Sequence, residues 1–176
     1  MADTIRTRSA VIALLPDNTS GEISPQDLRD FLVSIWGVYG ALSVYNNGSA
    51  QSLNTTPAKI TAFSINGGGA GTTASESSDQ ITIDTDGVFL VHFTATISAM
   101  TANTLYSYHI AKNGTRVSGA SAAVNVQSTN DVANVAITYV VSCAATDIIT
   151  ILGESDNGSG VNQTVKHAQL VVHRLY

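Results

Sequence analysis

Thr104-Leu105-Tyr106-Ser107-Tyr108-His109-Ile110-Ala111-Lys112-Asn113-Gly114-Thr115 decides the fold class. Tyr106, Tyr108 and Ile110 share one face of a period-two strand while Ser107 and His109 share the other, the alternation of a sheet with one buried side. Asn113-Gly114 then supplies two residues that accept positive φ, as a two-residue antiparallel hairpin requires. Asn-Gly recurs at Asn47-Gly48, Asn66-Gly67 and Asn157-Gly158, with Asp86-Gly87 as a close relative, so the same turn is expected to punctuate the chain from 47 to 158.

The alternation continues on both sides of this stretch. In Val88 to Ile97, Phe89, Val91, Phe93, Ala95 and Ile97 face inward and His92, Thr94 and Thr96 face out. In Ala133 to Cys143 the inward set is Val135, Ile137, Tyr139 and Val141. Further strands are expected at Ser43 to Tyr45, Ile60 to Ile65, Gln80 to Asp84, Ala122 to Val126, Asp147 to Gly153 and Val165 to Leu175, about nine in all. Gly67 to Thr73 reads as a flexible loop. Short, evenly spaced strands with turn signals predict an all-β antiparallel jelly-roll sandwich over residues 39–176.

Before Tyr39 the pattern changes. Residues 1 to 23 are expected to form an extended, Thr-rich arm closed by Pro16-Asp17-Asn18-Thr19-Ser20-Gly21. A short amphipathic helix follows, with Ser24 as N-cap, Pro25 at the first helical position, Asp27 completing a Ser-x-x-Asp capping box and Gly37 as the stop. Leu28, Phe31, Leu32, Ile35 and Trp36 fall on one stripe of it. Leaving those groups in water forfeits roughly 1.5–3 kcal/mol each. Two covers are open: the chain's own β domain, or symmetry mates and a larger partner. The terminal position behind the arm favours the second, which makes residues 1–38 an anchoring segment and 39–176 the β domain.

Composition narrows the function. The chain is 44% hydrophobic but only 12% charged, half the roughly 25% of an average soluble domain, which points to surface covered in an assembly or built from neutral Ser, Thr and Asn. A net charge of −5 with scattered Lys and Arg argues against nucleic acid as a partner. Cys143 is the only cysteine, in phase with Ile137, Tyr139 and Val141, and reads as a small buried hydrophobe. Ala10 to Leu15 is too short for a membrane span or a signal-peptide core, so no membrane partner is expected and synthesis is expected in the cytoplasm. His92, His109, His167 and His173 all fall on polar faces of strands, where solvent or an interface is the default over a metal. Asp84-Thr85-Asp86-Gly87 lacks the further ligands of a calcium loop and reads as a hairpin tip. With no nucleophile elbow, phosphate loop or paired carboxylates, neither an enzyme nor a cofactor is expected.

Four segments, in order, resemble the trimeric jelly roll of the tumour-necrosis-factor and complement globular-head class. They are Asp86-Gly87-Val88-Phe89-Leu90-Val91-His92-Phe93, Tyr108-His109-Ile110-Ala111-Lys112-Asn113-Gly114, Cys143-Ala144-Ala145-Thr146-Asp147-Ile148-Ile149, and Ala168 to Leu175. Thr146 stands where that class prefers glycine. Leu14-Leu15-Pro16-Asp17-Asn18 and Ile23 to Phe31 resemble leader segments of tailed-phage virion proteins. Together the resemblances imply a homotrimeric phage structural protein residing in the virion. One form is a head decoration (cement) protein on the major capsid protein or another virion protein. The other is a tail-fibre or receptor-binding tip that takes a host glycan on loops 66–78 and 157–163. Those loops carry no Tyr or Trp for sugar stacking, which favours the structural role. The closing strand supports self-association: Leu170 and Val172 face one way, Val171 and Leu175 the other, so the second pair is the candidate oligomer interface near a threefold axis.

Overall fold

The computed structural model describes residues 24–35, 37–99, 101–158 and 160–175; the expected arm and Trp36 lie outside these. Helix α1 runs Pro25–Ile35. Its start is the expected capping box: the Asp27 amide donates to Ser24 Oγ at 3.1 Å, and Asp27 Oδ2 accepts from the Ser24 amide at 2.9 Å and from its hydroxyl at 2.6 Å. Its stop is Gly37 at φ +75°.

Twelve strands follow among the described residues: β1 (Tyr39–Val44), β2 (Gln51–Leu53), β3 (Ala58–Lys59), β4 (Ile65–Ala70), β5 (Thr72–Ser75), β6 (Gln80–Ile83), β7 (Gly87–Ala99), β8 (Thr104–Lys112), β9 (Thr115–Val126), β10 (Val132–Cys143), β11 (Ile148–Ser155) and β12 (Val161–Arg174). They form two antiparallel sheets, β10-β7-β12-β1-β4 with β2 beside β12, and β5-β6-β11-β8-β9 with β3 beside β11. The jelly-roll sandwich of the sequence reading is the observed fold.

The core lies between the sheets and is the alternation read from sequence. Phe89, Val91, Phe93, Ile97, Leu170 and Val172 of the first sheet meet Tyr106, Tyr108, Ile110, Ile149 and Ile151 of the second, all fully buried or nearly so. The rings of Phe93 and Tyr108 lie 6.0 Å apart. Burying each such side chain is worth about 1.5–3 kcal/mol, which is why period two governs so much of the chain. A polar contact crosses the core as well: the Tyr108 hydroxyl donates to Oε1 of the fully buried Gln163 at 3.0 Å. Burial pushes the Tyr108 phenol far above its usual range, with Tyr106 adding to the effect.

Five expectations are corrected. Only Asn113-Gly114 forms the two-residue hairpin, with φ of 52° and 76° between Lys112 and its partner Thr115. That turn needs flanking strands that pair with each other; Asn47-Gly48 joins β1 and β2, which both pair with β12 and not with each other, Asn157-Gly158 lies where the chain crosses from β11 to β12 of the other sheet, and Asn66-Gly67 lies inside a strand. Asp84 to Asp86 is likewise a crossing from β6 to β7, not a hairpin tip, and Asp86 accepts from the Ala145 amide at 2.6 Å. Gly67 to Thr73 is a strand corner, β4 to β5, because a Cβ on Gly67 would sit 2.9 Å from the Ala41 Cβ and one on Gly69 2.8 Å from the Thr72 carbonyl oxygen. Ile60 to Ser64 is not a strand: Ile60 and Phe63, three apart, are the buried pair, and the segment crosses sheets with the Phe63 amide donating to Asp79 at 2.9 Å. Tyr139 is 37% exposed, since at the β10 edge its ring lies over Gly119 of β9 instead of entering the core.

Candidate interaction surface

The outward face of the first sheet is built by register. Val140, Leu90, His173 and Tyr39 form one row across β10, β7, β12 and β1; Thr138, His92, Val171 and Ala41 form the next; Ala136, Thr94, Gln169 and Ser43 the third; and Asn134, Thr96 and His167 the fourth, which Tyr45 extends. None of these residues is Asp, Glu, Lys or Arg. The Tyr39 end is the apolar end, and Leu175, 47% exposed, lies beside it. The Tyr45 end is polar: Thr96 donates to Asn134 Oδ1 at 2.7 Å, and two rows back His92 Nδ1 lies 2.7 Å from the Thr138 hydroxyl.

The outward face of the second sheet is different. Arg116 of β9 donates to both oxygens of Glu154 on β11 at 3.0 Å each, and His109 Nε2 lies 3.0 Å from Glu154 Oε1. His109 is therefore buried under partners of its own chain, where the sequence reading expects solvent or an interface. With both carboxylate oxygens held by Arg116, the cluster is a brace across three strands.

The candidate residues fall in two places. Val171 is half-buried in the second row, with Leu90 and Tyr39 in the adjacent row. On α1, Leu28 and Leu32 are 52% and 42% exposed and Phe31 is half-buried; the side chain of Ile35, like Trp36, lies outside the described residues. What the sequence reading missed is the rest of the face, because His92, Thr94 and Thr96 read simply as outward residues until the register sets them beside Val171 and Gln169. Cys143 is buried as expected; burial, then Asp147, pushes its thiol up to about 11, against a smaller opposing effect of Lys112. Among the described residues no group of three or more His, Cys, Asp or Glu could hold a metal, and no helix is long and apolar enough to cross a membrane.

No protein-family model and no curated protein sequence matches the chain. Solved structures do match it. Eiger TNF from S. frugiperda superposes with a TM-score of 0.56 at 11% identity over 78% of this chain and 93% of that one. Murine APRIL gives 0.54 at 12% identity, over 78% of this chain and 99% of that one. The globular domain of zebrafish complement 1qA gives 0.52 at 14% identity, over 78% and 97%. Likeness at such identities is likeness of fold, and the fold of this chain is a jelly roll of the tumour-necrosis-factor and complement globular-head type.

Proposed function

We propose that this chain is a non-enzymatic structural protein of a tailed-phage virion, a homotrimer that decorates the head and is held to the major capsid protein or another virion protein by residues 1–38. The observation that carries the reading is the uncharged outer face of the first sheet. A free antiparallel sheet face alternates apolar-in with polar-out and gains from charge at its surface. Here the outward rows hold Val140, Leu90, Tyr39, Val171 and Ala41 instead, a surface suited to burial against another copy. The trimeric class that the sequence resembles supports threefold closure, and the exposed Leu28 and Leu32 of α1 support a docking role for the helix.

A second reading, a tail-fibre or receptor-binding tip, is favoured by one observation, the 76% exposed ring of Tyr45 at the polar end of the same face. Deleting residues 1–37 distinguishes the two. Under head decoration the remaining domain folds and trimerises but no longer binds particles stripped of the protein, and Phe31→Asp with Trp36→Asp reproduces that loss, because a charge on the stripe cannot be desolvated cheaply. A truncated protein that unfolds assigns the stripe to the domain's own core. One that still decorates particles removes the docking role, and one that binds host cells makes the tip reading the correct one.

A further inference from the structure

In its third and fourth rows the outer face of the first sheet sinks into a groove of about 480 Å³, a volume typical of small-molecule sites. Its cause is local: Ser43, Thr94 and Ala136 are small, while Tyr45, Asn134 and His167 stand taller in the next row. Three observations identify the chemistry that fits it.

The lining holds no Asp, Glu, Lys or Arg, so an ionic ligand meets no counter-charge there. Tyr45 is exposed yet held in place. Its ring packs on His167 with centroids 4.9 Å apart, Asn46 turns the chain at φ 53°, the Asn46 amide donates to His167 Nδ1 at 3.4 Å, and the Asn47 amide donates to the Lys166 carbonyl at 3.0 Å. An exposed aromatic face fixed in this way loses little entropy when something stacks on it. Finally, the surrounding polar groups are uncommitted. Among the described residues the side chains of Ser43, Thr94 and Gln169 make no hydrogen bond; Asn134 spends only its Oδ1, on Thr96; and His167, accepting at Nδ1, presents Nε2–H.

We propose that this groove binds a neutral pyranose, a terminal hexose or N-acetylhexosamine of a surface glycan. The apolar face of the sugar stacks on Tyr45, and its hydroxyls meet Asn134, Gln169, Thr94 and His167. The site lies on the sheet, not on loops 66–78 and 157–163. It stands whichever virion position holds, because the groove spans the third and fourth rows, about 13–20 Å along the strands from the Tyr39 row, and a trimer closed on the first two rows leaves it at the rim.

The test is backbone-amide NMR of the full chain titrated separately with glucose, galactose, mannose and N-acetylglucosamine, with sialic acid as the anionic comparison and light scattering on the same samples. At least one neutral sugar is expected to give saturable shifts confined to β1, β7, β10 and β12 around the groove, with a Kd of about 1–10 mM as befits a single small ligand. Tyr45→Ala weakens that binding at least about tenfold by removing the stacking face, and Ala136→Trp, an exposed position that fills the groove, abolishes it with mass and thermal midpoint unchanged. No saturation by any neutral sugar at about 100 mM, undiminished binding in Ala136→Trp, or preference for sialic acid overturns the proposal. Sugar binding by a monomer removes the trimer and leaves the groove; a trimer without sugar binding does the reverse.

Discussion

The two outward sheet faces enclose the same core and solve the problem of facing water in opposite ways. On the second sheet, Arg116 pairs with both oxygens of Glu154 at 3.0 Å and His109 Nε2 lies 3.0 Å from one of them, so this charged cluster is satisfied within one chain. On the first, rows of Val, Leu, Tyr, Thr and His span four strands with no Asp, Glu, Lys or Arg. The low overall charge of the chain is therefore not spread evenly: it is concentrated as a deficit on one side. A deficit that is localised and in register suits a surface that is covered or that binds uncharged groups, as proposed above.

The sharpest way to break that contrast is to charge one face and then the other. Val171→Asp places a carboxylate between His92 and Ala41 in the apolar half. Association is expected to weaken at least about 100-fold, since a carboxylate buried at an interface without a partner costs several kcal/mol. Light scattering then reads a monomer of 18.3 kDa. Ala123→Asp, exposed on the second face, should leave the mass unchanged. A Val171→Asp protein that stays trimeric, or an Ala123→Asp protein that dissociates, removes the distinction between the faces.

Next in size is the brace. Glu154→Ala leaves Arg116 without either of its oxygens and the buried His109 without its acceptor. Arg116 is partly exposed and recovers water, so the expected cost is about 2 kcal/mol, a fall in thermal midpoint of roughly 4–8 °C for a chain of this size. Thr138→Ala removes the His92 contact on the other face, where both groups can turn to solvent, and should change the midpoint by less than about 2 °C. Equal losses from the two variants would mean that the first face is braced as the second is.

How much of this was legible beforehand depends on range. The inward sets Phe89-Val91-Phe93 and Tyr106-Tyr108-Ile110 are legible because alternation is a local property and burial of large side chains dominates the energetics. Ser24, Asp27 and Gly37 are legible for the same reason, since a cap is closed within three residues. The run at Gly67 misleads because local flexibility argues for a loop, whereas its use is long-range: Gly67 lies against Ala41 and Gly69 against Thr72. The candidate face is legible only at Val171 and Leu175, where a strand is apolar on both sides. Tyr45, His167 and Asn134 are far apart in the chain, and only the sheet register and the irregularity between Val165 and His167 bring them to one groove.

The seam between the faces, the turn from β10 into β11, gives a smaller and pH-dependent effect. The Ala144 amide, the Asn113 side-chain amide and Lys112 hold the Asp147 carboxyl below the usual carboxylate range. Because its folded pKa lies below its unfolded one, Asp147 contributes fully above the ordinary range near pH 4 and loses that contribution as pH falls through the folded value. Asp79 opposes it: burial, only partly offset by the Phe63 amide, raises its pKa, so its ionisation costs stability and acidification relieves that cost. Asp147→Asn is expected to lose about 1 kcal/mol at neutral pH and to converge with the parent near about pH 2. Midpoints measured across that range check it, and a gap that persists unchanged into acid would assign the loss to packing instead of charge.

One residue earlier in the same turn lies the smallest effect and the one of opposite sign. Thr146 sits at φ +74°, a region costly for a β-branched residue and readily taken by glycine. Its amide donates to the Ile83 carbonyl at 2.7 Å, which ties the end of the first sheet to β6 of the second, and that bond holds the backbone in place whatever the side chain. The Thr146 side chain is exposed, so its removal forfeits no packing. Glycine relieves about 1–2 kcal/mol of strain and returns about 0.5–1 kcal/mol through the greater freedom of its unfolded chain. Thr146→Gly should therefore stabilise by about 0.5–1 kcal/mol, a rise of roughly 1–4 °C, while Thr146→Val, still branched at Cβ, should gain nothing. The change lies at the seam and on neither face, so it should leave both trimer mass and sugar titration as they are; a shift in either would mean that this turn sets the register of the uncharged face.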